Sequence, residues 1–336
     1  MANKNDVTVI IEIQRPTPKL GFGKPLILGS SAAGHAYKTY LDLPAVLVDY
    51  AASTEEYKAA FALFNQGDDS PREIAIAARR TGGTPETLED ILPGLFTKDW
   101  YFLVTTSTNV DDITTIGEAV EQDDTRQFFF RTSSKTDLAA VFAEGFTRTT
   151  GFYHTDVSNY PEAAWIGRTG SADVGSVTWK AKTLTGIQPL DIDATELAAI
   201  HALGANTYVT KAGDNVTSEG KTTNGEYIDV IHSKDYVDFN IEYAVQKLIN
   251  STDKIPYDDT GIAQIESVVL TVLQRAFNQG MIARDADGIG LYGTDFKSRA
   301  EVDPADRADR IYNDGEFWFE LAGAIHEARI RGYIRL

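Results

Sequence analysis

One glycine-rich stretch has the residue types of a phosphate-binding loop. Residues 29–34 (GSSAAG) follow an apolar run, as such a loop follows a strand. The next residues are His35 and Ala36, where a phosphate loop needs a lysine for the phosphates and a hydroxyl for magnesium. We therefore expect a solvated turn between a strand and a helix, and no nucleotide site.

Two acidic or histidine-containing stretches resemble parts of metal sites. Asp285, Asp287 and Gly288 begin like a calcium loop, but the third acidic position and the closing glutamate are not at EF-hand spacing, so a polar turn is expected. His326-Glu327 begins like a zinc-protease helix and lacks the second histidine. The chain has no cysteine, which excludes disulfides, thiolate nucleophiles and Cys-ligated zinc. We expect no catalytic residue, no metal and no cofactor; the other histidines are scattered, at His35, His154, His201 and His232.

Polar residues that follow two apolar runs leave one enzyme interpretation open. Ser107, Thr108 and Asn109 come after one run, and His154 and Asp156 come after another. In a Rossmann-like or flavodoxin-like protein, a small molecule binds in the crevice beyond the carboxyl ends of the strands. The same residue types are also ordinary in loops and helix caps. A Rossmann-like small-molecule-binding enzyme therefore remains the alternative hypothesis.

The overall charge argues against two classes of partner. The 336 residues carry a net charge of −18, and direct nucleic-acid binding needs a basic surface. No apolar run approaches the roughly 18 residues of a membrane span, and the first residues do not have the pattern of a secretory signal. The charge is uneven: residues 1–24 and 324–336 each carry +2, so the body between them carries −22. Basic ends on an acidic body favour association between copies, because complementary potentials orient an encounter.

The first half of the chain alternates short apolar runs with amphipathic stretches. This alternation predicts a mainly parallel sheet covered by helices. Ser53 with Glu56, and Thr84 with Pro85, have the spacing of helix starts. The predicted strands lie near residues 25–28, 73–77, 100–104, 127–130 and 150–154, and the predicted helices begin near 53, 84, 113 and 138.

The second half predicts an α+β arrangement from about residue 171. Residues 177–180 resemble a strand, Asp193 caps a short helix that ends at Gly204, and the polar stretch 213–225 indicates an exposed hairpin or loop. Two amphipathic helices are expected within residues 236–279, and strand structure returns at residues 317–319.

Both ends of the chain alternate apolar and polar residues with a period of two. At the N-terminal end, every second residue is apolar: Val7, Val9, Ile11 and Ile13. Pro16 and Pro18 then prevent further pairing. At the C-terminal end, the apolar residues Ile330, Ile334 and Leu336 alternate with Arg329, Arg331 and Arg335. A strand with one apolar face must bury that face and satisfy its backbone groups. Each end either pairs within its own subunit or is donated to another copy. Periodicity alone does not choose between the two.

Four groups of short motifs resemble the contractile tail sheath family, in a short branch found in phages and prophages. Together they span nearly the whole chain in the expected order. The groups are residues 6–11 (DVTVII) with 21–29 (GFGKPLILG); 178–180 (TWK) with 184–187 (LTGI) and 205–209 (ANTYV); 225–231 (GEYIDVI) with 235–236 (DY); and 305–310 (ADRADR) with 322–326 (AGAIH) and 330–332 (IRG).

The resemblance implies a division of the chain and a structural role. It implies an N-terminal strand arm (1–20), a Rossmann-like α/β outer domain (21–170), an α+β inner domain near the tube (171–324) and a C-terminal strand arm (325–336). Sheath subunits form six-fold rings stacked helically around a tail tube, and their arms add strands to sheets in neighbouring copies. The chain is expected to be such a subunit, with no enzymatic activity.

The resemblance also implies the residues and partners of assembly. The arms are Val7 to Ile13 and Arg329 to Leu336, and the expected hinges are Pro16, Pro18, Gly21 and Gly23. The expected partners are further copies of the chain, the tail tube protein, and baseplate and tail terminator proteins. The expected location is the virion tail, after assembly in the cytoplasm of a bacterial host. Neither direct nucleic-acid binding nor membrane insertion is expected.

Overall fold

A computed structural model describes residues 22–326, in which the largest element is a seven-stranded sheet. The sheet has the spatial order β2-β3-β1-β4-β5-β6-β7. β2 runs antiparallel to β3, and every other pairing is parallel, so the prediction of a mainly parallel sheet is confirmed. The strands are β1 (Pro25–Ser31), β2 (His35–Tyr40), β3 (Ile74–Arg80), β4 (Phe102–Thr105), β5 (Gln127–Thr132), β6 (Thr149–Tyr153) and β7 (Ala205–Asn206).

Helices cover both faces of this sheet, and the alternation of each strand divides its side chains between two cores. Ile27, Ile76 and Phe129 point to one face, whereas Leu26 and Phe128 point to the other. The first core is closed by α1 (Leu43–Asp49), α2 (Glu55–Phe64) and α6 (Pro161–Thr169). The second is closed by α3 (Leu88–Phe96), α4 (Val110–Asp123), α5 (Lys135–Ala143) and α7 (Ala194–Ala202).

A third core lies between two long helices and a small sheet in the last part of the described chain. Val237 of the first helix packs with Val269 and Leu273 of the second. The elements here are α8 (Ile228–Ser251), α9 (Asp259–Asn278), β10 (Tyr292–Phe296), α10 (Pro304–Asp309) and β11 (Gly315–Phe319); the hairpin β8 (Tyr208–Lys211) and β9 (Asp214–Thr217) precedes them.

Two predicted helix starts are displaced along the chain. α2, the first helix that was predicted, is capped by Thr54, whose side chain accepts a hydrogen bond from the Tyr57 amide, and not by Ser53. The next helix begins three residues later than predicted: Thr87 and Asp90 form its capping box, and Thr84-Pro85 lies in the preceding loop. In both places a second residue with capping chemistry lay close by, so composition alone did not select between them.

Several further predictions need correction. The turn after β1 leads into β2 and not into a helix, and the edge strand β2 was not predicted. Residues 177–180 form no strand; Trp179 is buried in the first core. The polar stretch 213–225 begins inside the hairpin and then turns inward, so residues such as Thr217 and Thr223 are buried. α8 starts at Ile228, eight residues before the predicted pair of helices.

The hydrophobic cores are not divided at residue 170, where the sequence predicts a domain boundary. β7 lies in the main sheet, and Trp179, Tyr208 and Ile228 belong to its first core. Residues between 171 and 228 therefore pack mostly with the sheet, and the third core gathers the helices that follow. The division into outer and inner domains stays a prediction.

Candidate functional site

The crevice expected in the enzyme interpretation is filled by the protein's own side chains. Arg131, on β5, donates to the Thr105 carbonyl at 2.7 Å and to Glu162 Oε1 at 3.0 Å, and its guanidinium lies 3.6 Å from the centre of the Tyr160 ring. Both members of the ion pair are buried. Burial raises the pKa of Glu162, although Arg131 favours its charged form. This buried ion pair occupies the carboxyl ends of the central strands, and Glu162 Oε2 is buried there without a hydrogen-bond partner.

The polar residues that the sequence placed at these strand ends form local caps. Ser107 Oγ donates to Asp112 Oδ2 at 2.7 Å, and Asn109 caps α4. One ring nitrogen of His154 lies 2.8 Å from the Gln188 carbonyl, and the other accepts from the amide of Asp156 at 3.0 Å. These groups stabilise loops; Thr108 is exposed, and the side chain of Asp156 caps the short turn at Val157–Asn159.

The other chemical candidates are also local structure. Asp285 Oδ1 accepts the amides of Asp287 and Ile289, as expected for a polar turn. Within residues 22–326, no three potential metal-ligating side chains gather into a group. In the same range, no helix combines the length and apolar character of a membrane span.

The small sheet formed by β10 and β11 has no buried residue in either strand. Its two strands pair antiparallel, with Gly293 opposite Trp318 and Thr294 opposite Phe317. One face packs toward α9, where Thr294 Oγ1 donates to Glu266 at 2.8 Å. The other face carries Trp318, which lies across Gly293 and is 56% exposed. An exposed aromatic side chain on a small sheet whose long edges are open makes this face a candidate contact surface.

Within the described residues, β10 and β11 have no further strand along their length; just beyond β11, Leu321 forms an antiparallel bridge with Ile282. Within residues 22–326, β10 and β11 pair only with each other. An open edge presents unpaired amide and carbonyl groups to which an extended segment can add as a further strand. The sequence could have predicted an exposed aromatic side chain here. Phe317, Trp318 and Phe319 are consecutive, so a strand at this position carries an aromatic side chain on each face.

The described chain begins at a tightly fixed point beside the sheet. The Phe22 ring lies 5.1 Å from that of Tyr101 and 5.4 and 5.6 Å from those of Tyr236 and Phe239 on α8. Phe22 therefore contacts both the sheet and the long helix.

The two residues after Phe22 are also held in place. Gly23 has φ +98°, and a Cβ there would lie 2.5 Å from the Gly170 carbonyl oxygen, so only glycine fits. Lys24 forms ion pairs with Glu73 and Asp99, both at 2.8 Å. Gly23, one of the expected hinges, thus lies between two anchored residues.

A buried polar cluster joins the sheet to α8 at the same place. Arg148, just before β6, donates to both oxygens of Asp235 on α8, at 2.6 and 2.9 Å, and Tyr101 Oη donates to Asp235 at 2.7 Å. Burial disfavours the charged guanidinium, but the hydrogen bonds and the charge of Asp235 raise the pKa of Arg148 above its ordinary value. Burial raises the pKa of Tyr101. Next to them, burial lowers the pKa of His232 to about 3, so this ring is neutral at pH 7.

The described chain ends at His326, which is also fixed. Its Nε2 lies 2.8 Å from Thr178 Oγ1, and its ring centre lies 5.0 Å from that of Tyr227. Ile325, immediately before it, is 89% exposed. The remaining arm and hinge positions of the sequence prediction lie outside the described residues: Val7, Val9, Ile11, Ile13, Pro16, Pro18 and Gly21 before residue 22, and Arg329, Ile330, Arg331, Ile334 and Leu336 after residue 326.

Comparison with known proteins finds contractile sheath proteins both by fold and over part of the sequence. Residues 228–332 match the family model described as "E217 tail sheath protein gp31-like, C-terminal domain". A structure of the baseplate of the anti-feeding prophage aligns over 100% of both chains with a TM-score of 0.70 and 12% identity. The chain has the fold of a contractile tail sheath protein.

Other sheath structures agree with this assignment. The sheath of an extracellular contractile injection system, in its contracted state, aligns over 99% of this chain and 98% of the other, with a TM-score of 0.72 and 11% identity. A sheath tail protein from Desulfitobacterium hafniense aligns over 86% and 93%, with a TM-score of 0.62 and 9% identity. None of the curated protein sequences matches the chain. The resemblance to the sheath family and the mixed α/β fold class predicted from the sequence are both confirmed.

Proposed function

We propose that this chain is the sheath subunit of a contractile tail, which polymerises as stacked six-fold rings around an inner tube and contracts to drive that tube through a target envelope. The observation that carries the proposal is the alignment with sheath structures over nearly the full length of both chains. The relatives matched by fold are structural proteins, and the proposal includes no covalent chemistry. The filled crevice around Arg131 supports this choice over the small-molecule-binding enzyme.

Subunits are linked by exchanged strands in this proposal. The strands Val7 to Ile13 and Arg329 to Leu336 leave one copy and add to the open edges of the β10–β11 sheet in its neighbours. Main-chain hydrogen bonds along an edge give strength, and alternate side chains give register. The pivot of the N-terminal arm lies before Phe22, at Pro16, Pro18 and Gly21, because Phe22 to Lys24 are anchored.

The remaining partners follow from the same role. Inside the rings the chain contacts the tail tube protein, and at the two ends of the sheath it contacts baseplate and tail terminator proteins. The subunits assemble in the cytoplasm of a bacterial host and then form part of the virion tail. The net charge of −18 fits a chain that does not contact nucleic acid directly.

Truncation of the C-terminal arm tests the strand exchange. A chain that lacks residues 327–336 should fold, because the described cores lie within residues 22–326, and it should fail to form polymers visible by negative-stain microscopy. Circular dichroism and the thermal midpoint of the unassembled chain are the controls for folding. Polymers of normal length from the truncated chain would show that this arm is not the link. Saturable binding of a nucleotide or flavin to the monomer would favour the enzyme instead.

A further inference from the structure

The two predicted arms differ in how far they can reach from their fixed points. The C-terminal strand starts at Arg329, three residues after His326, which spans at most about 11 Å. The N-terminal strand ends at Ile13, nine residues before Phe22, which allows up to about 32 Å. If the C-terminal strand enters the sheet of another copy, that copy must therefore lie directly against the surface around His326.

Three lysines form a positively charged surface beside His326, which we name the lysine surface: Lys180, Lys211 and Lys221. Lys221 lies 5.0 Å above the ring of Tyr227, the same ring that His326 contacts. Lys180 pairs with Glu219 at 2.9 Å.

Two of these lysines form no ion pair of their own, and Glu219, the partner of Lys180, is the carboxylate near all three. Across the described range, Lys211 and Lys221 pair with no carboxylate; Lys211 donates to the carbonyl of Ser218. Burial, followed by the neighbouring Lys180, lowers the pKa of Lys211. In a chain with 49 acidic and 31 basic residues, three lysines that share one nearby carboxylate leave an excess of positive charge at this surface, which an acidic surface of another copy would balance.

We propose that the lysine surface is a contact between subunits, and that its partner is the exposed face of the β10–β11 sheet in the copy that receives the C-terminal strand. This inference rests on the proposed strand exchange. The face that carries Trp318 also carries the exposed carboxylates Asp295 and Glu316, which lie opposite each other across the two strands. Insertion of the C-terminal strand into that sheet brings these carboxylates to the vicinity of Lys211 and Lys221. Opposite charges then fix the orientation of the two copies.

Chemical protection tests whether the surface is covered. The chain has no cysteine, so Lys211→Cys introduces a single thiol, and Lys98→Cys, at another exposed lysine, is the matched control. Each variant is mixed at about one part in twenty with wild-type chain, and maleimide labelling is compared before and after polymerisation. The inference predicts that labelling at position 211 slows at least tenfold in the polymer, while labelling at position 98 slows less. Equal reactivity at position 211 in subunit and polymer overturns the inference alone.

Charge exchange tests the identity of the partner. The double change Lys211→Glu with Lys221→Glu should slow polymerisation at least tenfold at low salt and remove much of its salt dependence. Adding Asp295→Lys and Glu316→Lys to the same chain should restore most of the rate, because the two surfaces then carry exchanged charges. Failure of this restoration in a variant with a normal thermal midpoint overturns the proposed pairing. A wild-type chain that forms no polymer at all overturns the proposed function and the inference with it.

Discussion

The buried pair of Arg148 and Asp235 predicts a large effect from one small substitution. Asp235→Asn keeps the shape of the side chain and removes the charge that accepts two hydrogen bonds from Arg148 and one from Tyr101. The Arg148 side chain is 4% exposed, and its other carboxylate partner, Asp124, lies at the surface with 73% exposure. The substitution therefore leaves a buried guanidinium with most of its compensation lost.

The expected cost is large because a buried charge without its partner is destabilised by roughly 3–5 kcal/mol. The measurement is urea unfolding of the unassembled chain, followed by tryptophan fluorescence. Asp238→Asn on the same helix is the matched control: Asp238 pairs with Lys234 at 3.2 Å, and both side chains are half exposed. An exposed pair of this kind contributes about 0.3–0.5 kcal/mol.

A third variant separates a lost charge from a lost contact. Replacing both partners together, as Arg148→Met with Asp235→Leu, should recover most of the stability, because no unpaired charge remains. If Asp235→Asn costs no more than Asp238→Asn, the pair does not hold α8 to the sheet. If the double replacement is as unstable as the single one, packing and not charge determines the cost.

Four further substitutions give distinct outcomes. Burial lowers the pKa of His232 to about 3, whereas the pKa in the unfolded chain is near 6.5. The folded protein should therefore lose stability as the pH falls below 6.5, by up to about 2.7 kcal/mol at pH 4.5. His232→Phe should reduce this pH dependence, measured by denaturant titrations at neutral pH and at pH 4.5. Gly167→Ala should destabilise by about 1–3 kcal/mol, since the new Cβ would lie 2.4 Å from the Leu63 carbonyl oxygen, whereas Gly94→Ala, with open space around it, should stabilise by up to about 1 kcal/mol in the same assay. Trp318→Ser should leave the thermal midpoint of the subunit nearly unchanged and slow polymerisation about tenfold by light scattering.

Each of these has a result that contradicts it. An unchanged pH slope in His232→Phe would mean that the ring is not the group that binds the extra proton on unfolding. Equal effects of the two alanine substitutions would mean that α2 and α6 are not in close contact at Gly167. Normal polymerisation of Trp318→Ser would remove the exposed face of β11 from the assembly surface.

The elements of the sheet were predictable because they are local. Apolar runs such as residues 100–104 and 127–130 are short, rich in aromatic and β-branched residues, and separated by amphipathic stretches, so their positions agree with β4 and β5. The strand β2 was not predicted. Its residues are mostly exposed, and an edge strand needs no alternation of apolar residues to pair with β3.

The residues that decide the candidate site were less accessible, since their partners are far away in the chain. Arg148 and Asp235 are 87 residues apart, and no local pattern marks two charged residues as a buried pair. Arg131 reaches Thr105 across 26 residues and fills the crevice where the sequence left an enzyme possible. Phe22 was part of a motif, but only packing against both Tyr101 and α8 makes it an anchor.

By itself the sequence determined the alternation of strands and helices, the absence of cysteine chemistry, the charge balance and the period-two pattern at both ends. These depend on residue types and on spacings of two to four positions, which any segment carries with it. The tertiary structure alone decided the strand order, the closing of the strand-end crevice, the joint between sheet and α8, and the exposure of Trp318. Burial and pairing of this kind arise only when distant segments meet, because the free energy of a charge or an aromatic ring depends on what surrounds it.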